Sequence, residues 1–242
     1  MKRKLKSLAN RFGFHVSRIR DAPKHRPIDV LDLVLRDFLS QGNEMFFVQI
    51  GANDGERADP INRFVRQYHW PGLVVEPQPR AFARRRETYA EEPQLRFENC
   101  AVSSTEGPVA LYTVSDKVDF RWTGLARFSR GSLLDELAAN GFSRDPSLIQ
   151  SLTVPSHTLG ELLGIHRIDR YDLLQIDAEG LDWEIIKMID VRSPPSIIHF
   201  EHAHLSEKQS VECCEHLTTY GYELAIGKMD TIAYRRPGGT NI

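Results

Sequence analysis

The feature that most constrains this chain is a regular exchange between two periodicities. Short apolar runs of strand length occur near residues 45–50, 73–76, 95–99, 151–154, 173–176 and 196–200. Between them, apolar residues recur every three or four positions over about 59–68, 79–89, 158–163, 181–188 and 207–220, behind an opening helix through Val30, Leu31, Val34, Leu35 and Phe38 that stops near Gly42. Parallel strands need a crossover between them, and the usual crossover is a helix, so the pattern predicts an α/β fold with a largely parallel sheet covered on both faces. The end departs from this rule. Only residues 227–230 separate runs at 222–226 and 231–235, a gap that permits a hairpin and no crossover, so the last strand is expected to be antiparallel. Residues 109–114 alternate apolar with polar like a solvated antiparallel edge strand.

The rhythm lapses between 115 and 150, a stretch rich in Gly, Ser, Arg and Asp with one helical patch near 133–139. That is too long for an ordinary connection and reads as an insertion or lid on the substrate side, in which Trp122 and Arg127 would set specificity. One body over 28–242 follows a basic arm over 1–27. The arm holds nine Lys and Arg against one Asp, +8, which leaves 22 basic and 32 acidic residues, −10, for the rest. An acidic body repels nucleic acid, so no nucleic-acid partner is expected. The arm, with Leu5, Leu8, Phe12, Val16 and Ile19 at helical spacing, suits peripheral contact with an anionic membrane; the plainer alternative is a helix docked on its own domain. The arm lacks the continuous apolar segment of an export signal, and no run approaches the roughly 18 apolar residues of a spanning helix, so the expectation is a cytoplasmic protein, peripheral at the inner membrane surface if the arm binds there. With 41% hydrophobic and 26% charged residues the chain is of globular composition, which excludes collagen-like and wholly disordered readings. Cys100, Cys213 and Cys214 form no CxxC pair and read as packing residues.

The chemistry-bearing residues gather where strands end. The first strand runs into Gly51-Ala52-Asn53-Asp54-Gly55, a tight turn of small residues that lets backbone approach a ligand at the carboxyl edge of the sheet. Glu76 follows 25 residues after Gly51, at the end of the second strand, where an acid can bind both hydroxyls of a ribose. No GxGxxG or GxxxxGK[ST] motif is present, and no Lys or Arg lies within the turn to meet a phosphate, which favours a phosphate-free nucleoside cofactor. A later strand ends in Ile176-Asp177-Ala178-Glu179-Gly180. Asp177 there could accept a proton or face a cationic cofactor, whereas Glu179, Asp182 and Glu184 read as ordinary acids of a helix start.

The segment His199-Phe200-Glu201-His202-Ala203-His204 could supply imidazole and carboxylate to the same crevice. Strand alternation places His199, Glu201 and Ala203 on one face and His202 and His204 on the other, so the three histidines cannot share a metal unless the strand has ended, and no metal centre is expected. Candidate catalytic residues are Asp177, Glu201 and His202.

The order and spacing of Val48-Gln49-Ile50-Gly51-Ala52-Asn53-Asp54-Gly55, Val75-Glu76-Pro77, Asn99-Cys100-Ala101-Val102-Ser103, Ile176-Asp177-Ala178-Glu179-Gly180 and Ile198-His199-Phe200-Glu201 resemble the FkbM family of S-adenosylmethionine-dependent methyltransferases. The resemblance runs from about Phe46 to Tyr234. Two positions depart from it: Gln49 stands where an acid often precedes the turn, and Gln175 where a lysine often precedes the Ile-Asp motif. It implies a class I, Rossmann-like methyltransferase fold with a seven-stranded sheet. It implies S-adenosylmethionine as cofactor, with Gly51, Ala52, Asn53, Asp54 and Gly55 at its methionine portion, Glu76 and Pro77 at the ribose, Cys100 and Ala101 at the adenine edge, and Asp54 or Asp177 facing the sulfonium. The reaction implied is methyl transfer to an acceptor hydroxyl, on a sugar of a cell-surface polysaccharide or glycolipid precursor, with a macrolide-type natural product as alternative. A non-catalytic module of the same fold and a nicotinamide oxidoreductase are the rival classes. Oligomeric state is not legible in the sequence.

Overall fold

The computed structural model describes residues 28–51, 59–115, 118, 122 and 125–236. The basic arm and turn residues Ala52, Asn53, Asp54 and Gly55 lie outside them. Helix α1 (Val30–Ser40) opens the body and is capped by Asp29, whose carboxylate accepts the Asp32 amide. Then come β1 (Phe47–Ile50), α2 (Asn62–Tyr68), β2 (Gly72–Val75), α3 (Pro79–Thr88) and β3 (Leu95–Glu98). After the excursion described below, the alternation resumes with α5 (Leu159–Ile165), β8 (Leu173–Ile176), α6 (Asp182–Ile186), β9 (Ile197–Glu201), α7 (Glu207–Thr219) and the hairpin β10 (Glu223–Ile226) and β11 (Asp230–Tyr234).

Seven strands form one sheet in the order β10-β11-β9-β8-β1-β2-β3. β9, β8, β1, β2 and β3 are mutually parallel, and β11 is antiparallel to both its neighbours, as the short hairpin connection requires. From β1 the chain adds β2 and β3 on one side and later β8 and β9 on the other, and open α/β sheets bind ligands at the carboxyl edge of such a switch point.

The excursion between β3 and α5 corrects the sequence reading. The run at 109–114 is the inner part of β5 (Gly107–Val114), and the run at 151–154 belongs to β7 (Ile149–His157). Neither joins the main sheet. With β4 (Ala101–Val102) and β6 (Ala126–Arg127) they make a second sheet, β4-β7-β5-β6, in which β5 pairs along its whole length with β7 and is no solvated edge. Helix α4 (Arg130–Ala139) packs Leu133 and Leu137 against Val114 and Ile149, and Trp122 meets Phe142 edge to face inside this small core.

Strand alternation sorts the main sheet into rows. Val48, Ile50, Leu174, Ile176, Ile198 and Phe200 share one apolar core. On the opposite face the register puts Phe47, Leu173, Ile197 and Tyr234 in one row of a second core, and Gln49, Gln175, His199 and Ile232 in the row above it. One step further toward the carboxyl edge stand Gly51, Asp177, Glu201 and Asp230. This face grades from aliphatic through amide and imidazole to carboxylate as it approaches the ligand edge. Among the described residues no helix is long and apolar enough to cross a membrane.

Candidate functional site

Gly51 ends β1 with φ +76°, and a Cβ there would sit 1.8 Å from the Asp177 carbonyl oxygen. Only glycine lets the two strand ends close in this way. The Gly51 amide donates to the Val75 carbonyl, and the Asp177 amide to that of Ile50, so the ends of β1, β2 and β8 are tied together. Behind β2, Glu76 is buried; its carboxylate accepts the Gln78 amide at 2.8 Å, and the Asn99 amide holds the Glu76 carbonyl at 2.7 Å. Gly51, Glu76, Pro77, Cys100, Ala101 and Asp177 line a single cavity, to which the second sheet adds Val102, Leu111 and Ala126, with Phe128 just after β6. Six separately predicted positions are thus neighbours in space. The second sheet, unforeseen from the sequence, roofs them. Burial pushes the Cys100 thiol up to about 12, so it is a neutral packing group.

Beside this cavity lies a carboxylate cluster. Asp177 and Glu201 follow paired residues of β8 and β9 and stand side by side, and Asp182, fully buried, accepts the Gly180 and Glu201 amides at 3.4 and 3.3 Å. Glu179 is no solvated helix acid: at φ +54° it swings toward the second sheet and pairs with Arg127. Arg127, buried on β6, also pairs with Glu136 of α4 at 2.7 Å and reaches His204 Nε2 at 3.3 Å. It is therefore the cation of the site, and of the two insertion residues singled out from the sequence it, and not Trp122, faces the chemistry.

The histidine reading is corrected too. β9 ends at Glu201, alternation stops there, and the following turn returns His204 to within 3.3 Å of Glu201 and 3.4 Å of Glu179. His202, the expected catalytic imidazole, instead binds Thr231 Oγ1 through Nδ1 at 2.9 Å and does not join the cluster. Ligand atoms of Glu179, Glu201 and His204 lie within 4.8 Å of one another, a mixed carboxylate and imidazole set able to hold a divalent ion. The Arg127 guanidinium contacts two of the three, so in this arrangement the compensating charge is its own.

Burial raises every acid of the cluster: Glu179 and Glu201 to about 8, with neighbouring carboxylates adding to the effect, Asp182 to about 7, and Asp177 upward as well. Groups in such contact titrate as a set. Their ordinary values are 4.5 for Glu and 3.8 for Asp, so between about pH 4 and 8 the folded protein keeps protons that the unfolded chain has released. Stability from this cluster is complete at the acid end of that window and is lost as pH rises toward 8. The apo protein is expected to melt at a lower temperature at pH 8.5 than at pH 6.0, and Glu201→Gln should flatten the dependence. Equal slopes in variant and parent would show that the titration belongs elsewhere.

The seven-stranded sheet with its antiparallel penultimate position, roofed cavity and acidic carboxyl edge defines a class I methyltransferase fold. The model of the methyltransferase FkbM domain matches residues 49–224, and the chain belongs to the FkbM methyltransferase family. Three solved structures similar to it are distant in sequence. A methyltransferase FkbM from Methylobacillus flagellatus KT is 10% identical, with 79% of this chain and 44% of that chain covered and a TM-score of 0.48, so this chain spans under half the length of that relative. A precorrin-6y C5,15-methyltransferase from Geobacter metallireducens GS-15 is 12% identical (88% and 92% covered, TM-score 0.43). The N-terminal domain of human METTL16 in complex with SAH is 11% identical (94% and 78% covered, TM-score 0.43). No protein with a curated description matches the sequence.

Proposed function

We propose that the protein is an S-adenosylmethionine-dependent O-methyltransferase whose acceptor is a sugar hydroxyl of a polysaccharide or glycolipid precursor. The observation that carries the reading is Asp177, which lines the roofed cavity and at the same time stands beside Glu201 in the acidic row. The cavity suits the cofactor chemically: a buried acid at Glu76 for ribose hydroxyls, small and apolar walls at Cys100, Ala101 and Phe128 for adenine, and carboxylates at one end for a positive sulfur. The bound cofactor supplies a methyl group on a cationic sulfur, which leaves as a neutral thioether.

The chain's own residues handle the acceptor. An alcohol is a poor nucleophile at neutral pH, and Asp177 is placed to take its proton as the new bond forms, a contribution of roughly 10²–10⁴-fold. Its raised pKa makes it a stronger base than a solvated aspartate, and Glu201 lies beside it in the acid row. Arg127 keeps Glu179 and His204 in place, so the acid row keeps its geometry. The body is read as a single catalytic unit over 28–242, and work beside the inner membrane remains the role proposed for residues 1–27.

The test is transfer of label from methyl-labelled cofactor to a panel of glycosides, macrolides and RNA. Asp177→Asn is expected to lower kcat by about 10²–10⁴. Cofactor binding without turnover on any acceptor would favour a non-catalytic module, and turnover on RNA or a macrolide would replace the sugar.

A further inference from the structure

A second pocket lies on the face of the sheet that carries the polar rows, between the start of α1, the residues leading into α2 and the β10–β11 hairpin. Its lining includes His199, Asp230, Asp59, Asp29 and Ile226. His199 is only 7% exposed, and its Nδ1 has no hydrogen-bond partner; in the adjoining register position Gln175 is 2% exposed with Oε1 also unpartnered. A buried polar atom left unpaired costs roughly 1–3 kcal/mol, so the His199 nitrogen, whose ring lines the pocket, calls for a partner from outside the chain. Desolvation lowers the pKa of His199, which leaves a neutral ring that can donate or accept.

The surrounding charges restrict that partner. Asp59 is committed to Arg85, and Asp29 to Arg63, which leaves the exposed Asp230 carboxylate on the rim. Arg63, the lining cation, is taken up by Asp29, so an anionic ligand would meet the Asp230 carboxylate, and an apolar one would leave His199 unsatisfied. A hydroxylated ring satisfies both: its hydroxyls donate to Asp230 and exchange hydrogen bonds with His199, while its C–H face rests on Ile226, which is 63% exposed. Asp230 stands opposite Glu201 in the sheet register, and Glu201 adjoins Asp177 one strand further on, so the pocket abuts the acid row.

We propose that this pocket is the acceptor subsite, in which His199 and Asp230 read a hydroxyl adjacent to the one presented to Asp177. The inference rests on the methyltransferase reading above and adds a specificity requirement to it: an acceptor lacking the neighbouring hydroxyl is rejected. The experiment measures saturation-transfer NMR of methyl glycosides of mannose, rhamnose, glucose and galactose on the full chain with saturating S-adenosylhomocysteine, whose binding is measured separately by calorimetry. At least one glycoside is expected to bind, with its signal falling fivefold or more in both His199→Phe and Asp230→Asn, while each variant binds S-adenosylhomocysteine within twofold of the parent. Asp230 is exposed, so its variant tests the pocket even if the His199 variant does not fold. Cofactor bound but no glycoside bound, or glycosides bound equally by the Asp230 variant, overturns the subsite; no cofactor bound by folded protein overturns the methyltransferase reading itself.

Discussion

Replacing Arg85 with alanine is expected to cost about 3–5 kcal/mol of stability, the penalty of leaving a buried charge without its partner. Arg85 is completely inaccessible, and the Asp59 side chain it pairs with is 1% exposed. Their contact joins three elements. Asp59 accepts the Ile61 and Asn62 amides at the start of α2 and the Gln49 side-chain amide from β1, Arg85 reaches across from α3 to both Asp59 and Gln49, and its guanidinium lies 4.9 Å from the Tyr89 ring centroid. Alanine would strand the carboxylate, lower the melting temperature by roughly 10 °C on the usual scale for chains of this size, and loosen the segment between β1 and α2. The double variant Arg85→Met, Asp59→Asn carries no buried charge and should recover much of the loss. A single variant within 1 kcal/mol of the parent, by denaturant titration, would refute the assignment of Arg85 as the charge that stabilises this junction.

That network marks where sequence reasoning stops. The main sheet was legible because its strands and helices differ in period, and the hairpin because a connection of a few residues excludes a crossover. The cavity-lining positions Gly51, Glu76 and Asp177 were legible because they follow strand ends, and strand ends of a parallel sheet share one edge; Cys100 and Ala101 came from the family resemblance. Arg85 was not, because within Arg84-Arg85-Arg86 the middle residue looks like part of a solvated face. Its burial depends on a carboxylate 26 residues away, and pairing at that separation has no local signature. The departure at Gln49 acquires a reason here: the acid expected at that position is supplied by Asp59, and Gln49 bridges it to Arg85. The second sheet escaped for a similar reason, since alternation identifies β5 and β7 as strands without naming their partners. Glu179 and His204 were misjudged because helix and strand periodicities were extended across turns: Glu179 and Gly180 have φ of +54° and +103°, and β9 ends before His202. A signal for the first was available, an acid followed by glycine at a strand end, where left-handed backbone redirects a side chain.

The largest effect on ligand binding is expected at Glu76. On the proposed reading its carboxylate accepts both ribose hydroxyls inside a buried cavity, where truncating one partner of a charged hydrogen-bonded pair costs roughly 2–4 kcal/mol. Calorimetry of Glu76→Ala should therefore show S-adenosylhomocysteine bound about 30- to 700-fold more weakly than by the parent. Glu76→Gln, which keeps the shape and one acceptor oxygen, should fall between the two. The fold does not depend on this carboxylate for the strand itself, because the Glu76 amide donates to the Glu98 carbonyl through backbone alone and Asn99 holds the Glu76 carbonyl. What the side chain does locally is accept the Gln78 amide at the entrance to α3, so both variants should lose a little thermal stability, and the melting curves separate that structural loss from the binding loss. Titration with NAD completes the argument: a nicotinamide enzyme would also need its ribose acid, but its pyrophosphate requires cationic or amide donors at the Gly51 turn, where the sequence from Gly51 to Gly55 has no Lys or Arg. Tight S-adenosylhomocysteine binding lost in Glu76→Ala, with no NAD binding by the parent, is the expected pair of results. Unchanged affinity in the alanine variant would reduce Glu76 to a staple of the α3 start and move the ribose contact elsewhere in the cavity.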